Sequence, residues 1–373
     1  MEDMLLALAA KSQSDGERVL VYIGTYTKPA PHVQHAKGRG ISVYELDPNT
    51  GNLTFVSETV GIEDPTFLAI SRDQRFLYAA SEVPQGMVYA YAIDSASGGL
   101  RLINSQSAHG SSTAHVMVDP TGRIVVAANY AAGNTFVVYR VRDDGGIEPA
   151  SDHVRHEGRG VHPRQEKTHG HSTYIDPSNR YLCVVDLGID AVKVYALDRE
   201  KGRVRLHSEV KVQPGSGVRH LAFHPNGKFA YVIGELNSTI TTLGYDGEGN
   251  FTVLDAVSTL PDDFSAENNS CSEIAVHPSG KFLYGANRWH DTLVMFQIDP
   301  ETGKLALIGH QPTLGKTTRH FAIDPTGRLM LVGNQDSDNV VTFWIDLETG
   351  KLTHTGVDLE IATPVCFRFL TVN

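Results

Sequence analysis

The sequence predicts an all-β protein, a seven-bladed β-propeller with four antiparallel strands in each blade. Three observations carry this prediction. Along the 373 residues a turn phrase recurs six times, a strand–turn–strand phrase recurs seven times, and no helical periodicity extends over a useful length. Units of roughly 50 residues that each contain four short strands, repeated around an axis, are typical of a propeller.

The first phrase is a tight turn between two apolar stretches. In five of its six copies it reads Asp-Pro or His-Pro, one further residue, and then Gly or Asn. Residues of these types favour a turn between paired strands. The copies begin at Ser71, Asp119, Asp176, His224, His277 and Asp324, at spacings of 47 to 57 residues.

The second phrase is an aromatic or apolar strand followed by Asp, Gly and another apolar residue, from Val43–Leu53 to Phe343–Leu352. The second phrase has seven copies and the turn phrase only six, so one blade lacks its inner strand. Thr363–Leu370 has the apolar pattern but no following turn, so we expect it to pair with Val19–Tyr26 and to close the ring within one blade. The propeller domain then spans residues 18–373, and residues 1–17 form an N-terminal extension.

Charge and cysteine content limit the class of protein. The net charge is −11, from 32 Lys and Arg against 43 Asp and Glu, and this predicts neither nucleic-acid binding nor an anionic membrane surface. Three cysteines without CxxC spacing suit a reducing compartment, so we expect a cytoplasmic protein. We further expect a monomer or a weak homodimer. The apolar run 4–10 follows acidic residues and is a poor signal peptide, too short to span a membrane.

Polar residues fall where a propeller would bring strand ends together. In an antiparallel pair, the start of the inner strand and the end of the second strand lie at the same end. At these positions blades 3, 4 and 5 supply His171, Arg219, Glu235 and Arg288. Their side chains suit an anionic ligand and a proton transfer. The long connection 148–168, rich in His and Arg, enters blade 3 on the same face.

Further polar residues lie at neighbouring positions: Glu82 and Arg319 occupy the same two registers in other blades, and His115, His220 and His320 share the position one residue after the inner-strand register. We predict that Glu82, His115 and Arg319 contribute to substrate binding, whereas His220 and His320 are interpreted as structural residues of a ring around the channel.

With these residues the sequence resembles the lactonase family of seven-bladed propellers over nearly its whole length. The segments that carry the resemblance are Tyr22–Thr27, Gly38–Ile41, Gly170-His171, Arg219-His220, Gly234-Glu235, Asn287-Arg288 and Arg319–Phe321. The resemblance implies an active site of His171, Arg219, Glu235 and Arg288, with Arg319 a rival for the place of Arg288.

The resemblance also implies hydrolysis of a sugar lactone, with 6-phospho-D-glucono-1,5-lactone, a pentose phosphate pathway intermediate, as the leading substrate. Arginines would bind the anionic group and the oxyanion, and either Glu235 or His171 would act as general base on water. No GxSxG elbow, HExxH motif or carboxylate cluster is present, so we expect no cofactor and no metal, although His169 and His171 fall on one side of a strand. The alternatives are a carboxy-cis,cis-muconate cyclase and a non-catalytic binding platform.

Overall fold

The computed structural model describes residues 18–372, and the predicted extension 1–17 lies outside them. Seven four-stranded antiparallel sheets form a ring, as predicted. The inner strands of neighbouring sheets contact one another all the way around, including across the chain closure. Within the described residues helical structure is limited to three single 3₁₀ turns, and no helix is long and apolar enough to cross a membrane.

The strands follow one another blade by blade. Blade 7 contains β1 (Arg18–Thr25), β2 (Gly40–Leu46) and β3 (Leu53–Val60). Blade 1 contains β4 (Pro65–Ile70), β5 (Phe76–Ser81), β6 (Met87–Ile93) and β7 (Leu100–Ser107). Blade 2 contains β8 (Gly110–Val118), β9 (Ile124–Gly133), β10 (Phe136–Arg140) and the short β11 (Asp152–Val154). Blade 3 contains β12 (Gly170–Ile175), β13 (Tyr181–Asp186), β14 (Ala191–Asp198) and β15 (Arg203–Lys211).

The remaining blades repeat this order. Blade 4 contains β16 (Val218–Phe223), β17 (Phe229–Gly234), β18 (Thr239–Tyr245) and β19 (Phe251–Ser258). Blade 5 contains β20 (Cys271–Val276), β21 (Phe282–Asn287), β22 (Thr292–Ile298) and β23 (Leu305–Pro312). Blade 6 contains β24 (Thr318–Ile323), β25 (Leu329–Asn334), β26 (Asn339–Ile345) and β27 (Leu352–Glu360). The last strand, β28 (Pro364–Val372), pairs with β1 and completes blade 7.

The recurring turn phrase closes each inner hairpin with its own side chain. In blade 6 the Asp324 carboxylate accepts hydrogen bonds from the backbone N–H groups of Thr326, Arg328 and Leu329. In blades 4 and 5 a histidine takes this place and also reaches the next blade, where the His277 Nε2 atom lies 2.8 Å from the Gly327 carbonyl oxygen. The turn phrase therefore fixes both the hairpin and the spacing of these blades.

Tyrosines of the second strands also join neighbouring blades. The Tyr284 hydroxyl is fully buried and donates a hydrogen bond of 2.9 Å to the carbonyl oxygen of Gly350 in the turn between β26 and β27. Three further tyrosines make the same bond to the following blade: Tyr22, Tyr78 and Tyr231. The glycine of the second phrase thus accepts a hydrogen bond from the neighbouring blade in addition to forming its turn.

Candidate functional site

Glu235 is the centre of a buried charge cluster at one mouth of the channel. It directly follows β17, and its side chain is only 2% exposed. Its Oε2 atom accepts a hydrogen bond of 2.6 Å from Arg219, and its Oε1 atom lies 3.1 Å from Arg288 and 2.5 Å from Arg164. One carboxylate therefore holds three guanidinium groups together.

The backbone at the start of blade 5 fixes two of these arginines. Arg219, at the start of β16, donates from Nε to the Ser272 carbonyl oxygen at 3.0 Å. Arg288 follows β21 and donates from Nε to the Ser270 carbonyl oxygen at 3.2 Å, with further bonds to the Ser270 hydroxyl and the Cys271 carbonyl. Each guanidinium group has a fixed orientation, as charge stabilisation without reorganisation requires.

His171 lies at the start of β12 and contacts the cluster through Arg219. Its Nε2 atom is 2.6 Å from Nη1 of Arg219, so this nitrogen accepts the hydrogen bond. The imidazole is 3% exposed, and Nδ1 has no hydrogen-bond partner within residues 18–372. Burial and the charge of Arg219 lower the pKa of His171 well below its usual value, so the ring is neutral at pH 7.

The Glu235 carboxylate remains ionised. Burial alone would raise its pKa, but the positive charges of Arg288, Arg219 and Arg164 outweigh burial and hold the pKa well below the usual value. Burial lowers the pKa of Arg288 to about 10, which still leaves this arginine charged at neutral pH. The site thus contains one carboxylate, one neutral imidazole and three cations.

A second charge cluster faces the same mouth from blades 1, 6 and 7. Glu82 follows β5 and accepts hydrogen bonds from the Tyr26 and Thr66 hydroxyls at 2.7 and 2.9 Å. Arg319, at the start of β24, lies 3.5 Å from the Glu82 carboxylate and 5.1 Å from the centre of the Tyr26 ring. A small cavity between the clusters is lined by Arg219 as well as by Glu82 and Arg319. The two clusters therefore border one space.

Below this mouth the channel is filled by a packed group of aromatic and imidazole side chains. His115 packs on Phe67 with 4.1 Å between ring centres. The Glu273 carboxylate lies between His220, at 3.0 Å, and His320, at 3.1 Å. This agrees with the interpretation of His220 and His320 as ring residues. We call these five residues the channel ring.

His169, which the sequence placed on the same side of a strand as His171, has contacts of its own. Its ring stacks on Tyr130, Nδ1 lies 2.8 Å from the Tyr130 carbonyl oxygen, and Nε2 lies 3.2 Å from Glu166. Within the part of the chain that the structure describes, no group of three or more His, Cys, Asp or Glu side chains is placed to hold a metal ion.

A larger cavity of about 880 Å³ lies at the opposite end of the propeller. It is lined by the β4–β5 turn and by the ends of β1 and β28, including Arg18, Arg75 and Leu370. Its lining charges are spread over an open surface, whereas those at the Glu235 mouth converge and are buried. We therefore assign the candidate site to the Glu235 mouth.

The structure brings together four of the predicted site residues, His171, Arg219, Glu235 and Arg288. Arg288 rather than Arg319 is the partner of Glu235, since Arg319 pairs with Glu82 across the mouth. The role of His115 in substrate binding stays a prediction, and the structure places this residue in the channel ring, where it contacts Phe67 and Tyr174.

Sequence reasoning missed two residues of the site. Tyr26 follows β1 just as Glu82 follows β5, and extending the repeat to blade 7 would have found it. Arg164 lies in the long connection between blades 2 and 3, where the repeat gives no register. Among the arginines of that segment, no sequence signal separates Arg164 from Arg155 or Arg159.

The fold and the site together define a seven-bladed propeller whose channel mouth holds a buried carboxylate and convergent arginines. The chain belongs to the lactonase family of seven-bladed propellers: the family described as "Lactonase, 7-bladed beta-propeller" matches residues 20–369.

Relatives and solved structures agree with this assignment. A 6-phosphogluconolactonase from Bacillus subtilis is 36% identical over 302 residues, covering 80% of this chain and 83% of the relative. The solved periplasmic gluconolactonase of Pseudomonas aeruginosa is 30% identical, with a TM-score of 0.87 and coverage of 96% of this chain and 100% of that one. A solved protein from Lactobacillus plantarum is 35% identical, with a TM-score of 0.87 over 95% of this chain and 99% of that one.

Proposed function

We propose that this protein hydrolyses a sugar lactone at the Glu235 mouth, and that its substrate is 6-phospho-D-glucono-1,5-lactone, which it converts to 6-phosphogluconate. The observation that carries the proposal is the buried Glu235 carboxylate, surrounded by three guanidinium groups and next to the neutral imidazole of His171. This arrangement supplies a proton acceptor and fixed positive charges for a developing oxyanion.

The charge of the mouth supports a phosphorylated substrate. Four arginines, 164, 219, 288 and 319, face two carboxylates, Glu82 and Glu235, so the mouth has two excess positive charges in a protein whose net charge is −11. A phosphate monoester carries about −1.5 to −2 at pH 7. The relatives named above include both a 6-phosphogluconolactonase and a gluconolactonase, and the excess charge favours the former substrate.

In the reaction, a water molecule attacks the lactone carbonyl carbon and loses a proton to Glu235. Arg219 and Arg288 stabilise the oxyanion, because each is fixed by backbone carbonyls and needs no rearrangement. The ring C–O bond then breaks, and protonated Glu235 returns its proton to the departing ring oxygen. The product acid loses its own proton to solvent.

We assign the base role to Glu235 because its Oε1 atom faces the open side of the mouth, from which the exposed Arg164 reaches it. His171 is a positioning residue in this scheme. Its Nε2 atom accepts from Arg219 and so fixes the guanidinium group against both the carboxylate and the substrate.

The test is lactone hydrolysis by wild type, Glu235→Gln and the control Glu157→Gln, which changes an exposed glutamate in the connection between blades 2 and 3. We expect catalysis well above the spontaneous rate in wild type and in the control. Loss of the base should reduce kcat by about 10²–10⁴-fold in Glu235→Gln. A folded wild-type protein that leaves the spontaneous rate unchanged refutes the proposal and favours the muconate cyclase. Activity retained in Glu235→Gln moves the base role to His171.

A further inference from the structure

Three guanidinium groups surround Glu235, but they are held in different ways. The side chain of Arg164 is 44% exposed, whereas those of Arg219 and Arg288 are 5% and 10% exposed. Arg219 and Arg288 also donate to backbone carbonyls. Within residues 18–372, the Arg164 side chain bonds only to Glu235 and to the Tyr130 hydroxyl. Arg164 can therefore leave Glu235 while the other two arginines stay.

The backbone that carries Arg164 is nevertheless anchored. Arg164 lies in the 3₁₀ turn Pro163–Gln165, and the neighbouring Gln165 is completely buried. The Gln165 side chain donates to the Leu187 carbonyl oxygen and to Asp190, each at 2.7 Å, and accepts from the His162 N–H group at 3.0 Å. An anchored backbone with a partly exposed side chain lets the guanidinium group move without unfolding the loop.

The position of Arg164 matches the part of a phosphorylated lactone that lies far from the chemistry. The reacting carbonyl has to lie next to the buried groups Glu235, Arg219 and Arg288. The phosphate ester is carried by the exocyclic carbon of the ring, several bonds away from the carbonyl, and it therefore points toward the solvent side of the mouth. Arg164 is the most exposed of the four arginines described at the mouth, and a guanidinium group binds phosphate with two parallel hydrogen bonds.

We propose that Arg164 is the specificity residue for the phosphate: when a phosphorylated lactone binds, the Arg164 guanidinium group releases Glu235 and binds the phosphate of the substrate. This inference rests on the proposed function. The exchange has two consequences. The substrate gains a charged contact. The Oε1 atom of Glu235 loses one of its two guanidinium partners and keeps Arg288, so it can accept the proton of the attacking water.

The experiment compares glucono-1,5-lactone 6-phosphate with unphosphorylated glucono-1,5-lactone as substrates of wild type, Arg164→Gln and Arg164→Lys. The matched control is Arg159→Gln, which removes an exposed arginine from the same connection. Arg164→Gln should lower kcat/KM for the phosphorylated lactone by about ten- to a hundredfold, mainly through KM, and change that for the neutral lactone by less than about threefold. Lysine should restore part of the loss, since it supplies charge without the bidentate geometry.

Inorganic phosphate gives a second readout. It should inhibit hydrolysis of the neutral lactone by wild type competitively, and inhibit Arg164→Gln much more weakly. Equal losses on both lactones, or no loss on either, overturn the inference while leaving the proposed function intact. A wild-type protein that hydrolyses only the neutral lactone also overturns it. A wild-type protein that hydrolyses neither lactone refutes the proposed function itself.

Discussion

Acidification should destabilise this protein steeply, because four buried imidazoles at the channel resist protonation. They are His115, His171, His220 and His320, each no more than 3% exposed. Burial is the main cause that lowers each pKa, and the charges of Arg219 and Arg368 act in the same direction. The pKa of His320 is lowered to about 3, even though Glu273 opposes the shift.

The magnitude follows from counting protons. An unfolded histidine binds a proton below a pH of about 6.5, whereas these folded histidines stay neutral at lower pH. The unfolded state then binds more protons, so the free energy of unfolding falls as the pH falls. Each histidine contributes up to about 1.4 kcal/mol per pH unit between its folded and unfolded pKa, or at most about 5.6 kcal/mol per unit for the four. Since domains are stable by about 5–15 kcal/mol, unfolding is expected between about pH 6 and 4.

The assay is urea unfolding, followed by circular dichroism at half-unit pH steps. His115→Gln removes one titrating group of the channel ring, so the slope of the unfolding free energy against pH should decrease by about 1.4 kcal/mol per unit. The control His354→Gln changes an exposed histidine of β27 and should leave the slope unchanged. A stability that stays constant from about pH 7 to 5, or an unchanged slope in His115→Gln, would refute the assignment of neutral channel imidazoles.

Three further predictions concern the blades and the mouth. Tyr284→Phe removes a buried hydrogen bond between blades and should lower the free energy of unfolding by about 1–3 kcal/mol, measured by urea unfolding. The control Tyr89→Phe removes no such bond within residues 18–372 and should change it by less than about 0.5 kcal/mol. Equal effects would contradict the role of the tyrosines. A chain that ends before β28 loses the buried inner strand of blade 7. Its unfolding, followed by circular dichroism, should show no cooperative transition. A native-like transition would show that closure of the ring by β28 is dispensable. Glu82→Gln removes the charge partner of Arg319 and should raise KM for the lactone about tenfold with little change in kcat. A fall in kcat alone would instead give Glu82 a role in the catalytic step.

The repeat made most of the fold predictable. Antiparallel pairing alone requires that inner-strand starts and second-strand ends share one mouth, and this was enough to bring His171, Arg219, Glu235 and Arg288 together. Closure by the C-terminal strand followed from the unequal number of the two phrases, and β28 pairs with β1 as expected.

The sequence could not predict how deep each side chain lies in the mouth or which residues it contacts there. Adjacent residues on a strand point to opposite sides and lie at different heights. The positions of His115 near a strand start and of Glu82 after a strand end therefore did not reveal that His115 packs in the channel ring while Glu82 reaches the mouth. Arg164 depends on a loop whose path is set by tertiary contacts of Gln165, and no repeat spacing encodes them.

The most direct test of the central claim is a crystal structure with 6-phosphogluconate, the product of the proposed reaction. We predict that its carboxylate lies between Arg219 and Arg288 next to Glu235, with its phosphate at Arg164. Product bound at the opposite end of the propeller, in the cavity lined by Arg18 and Arg75, or bound with its phosphate against Glu235, would contradict the account.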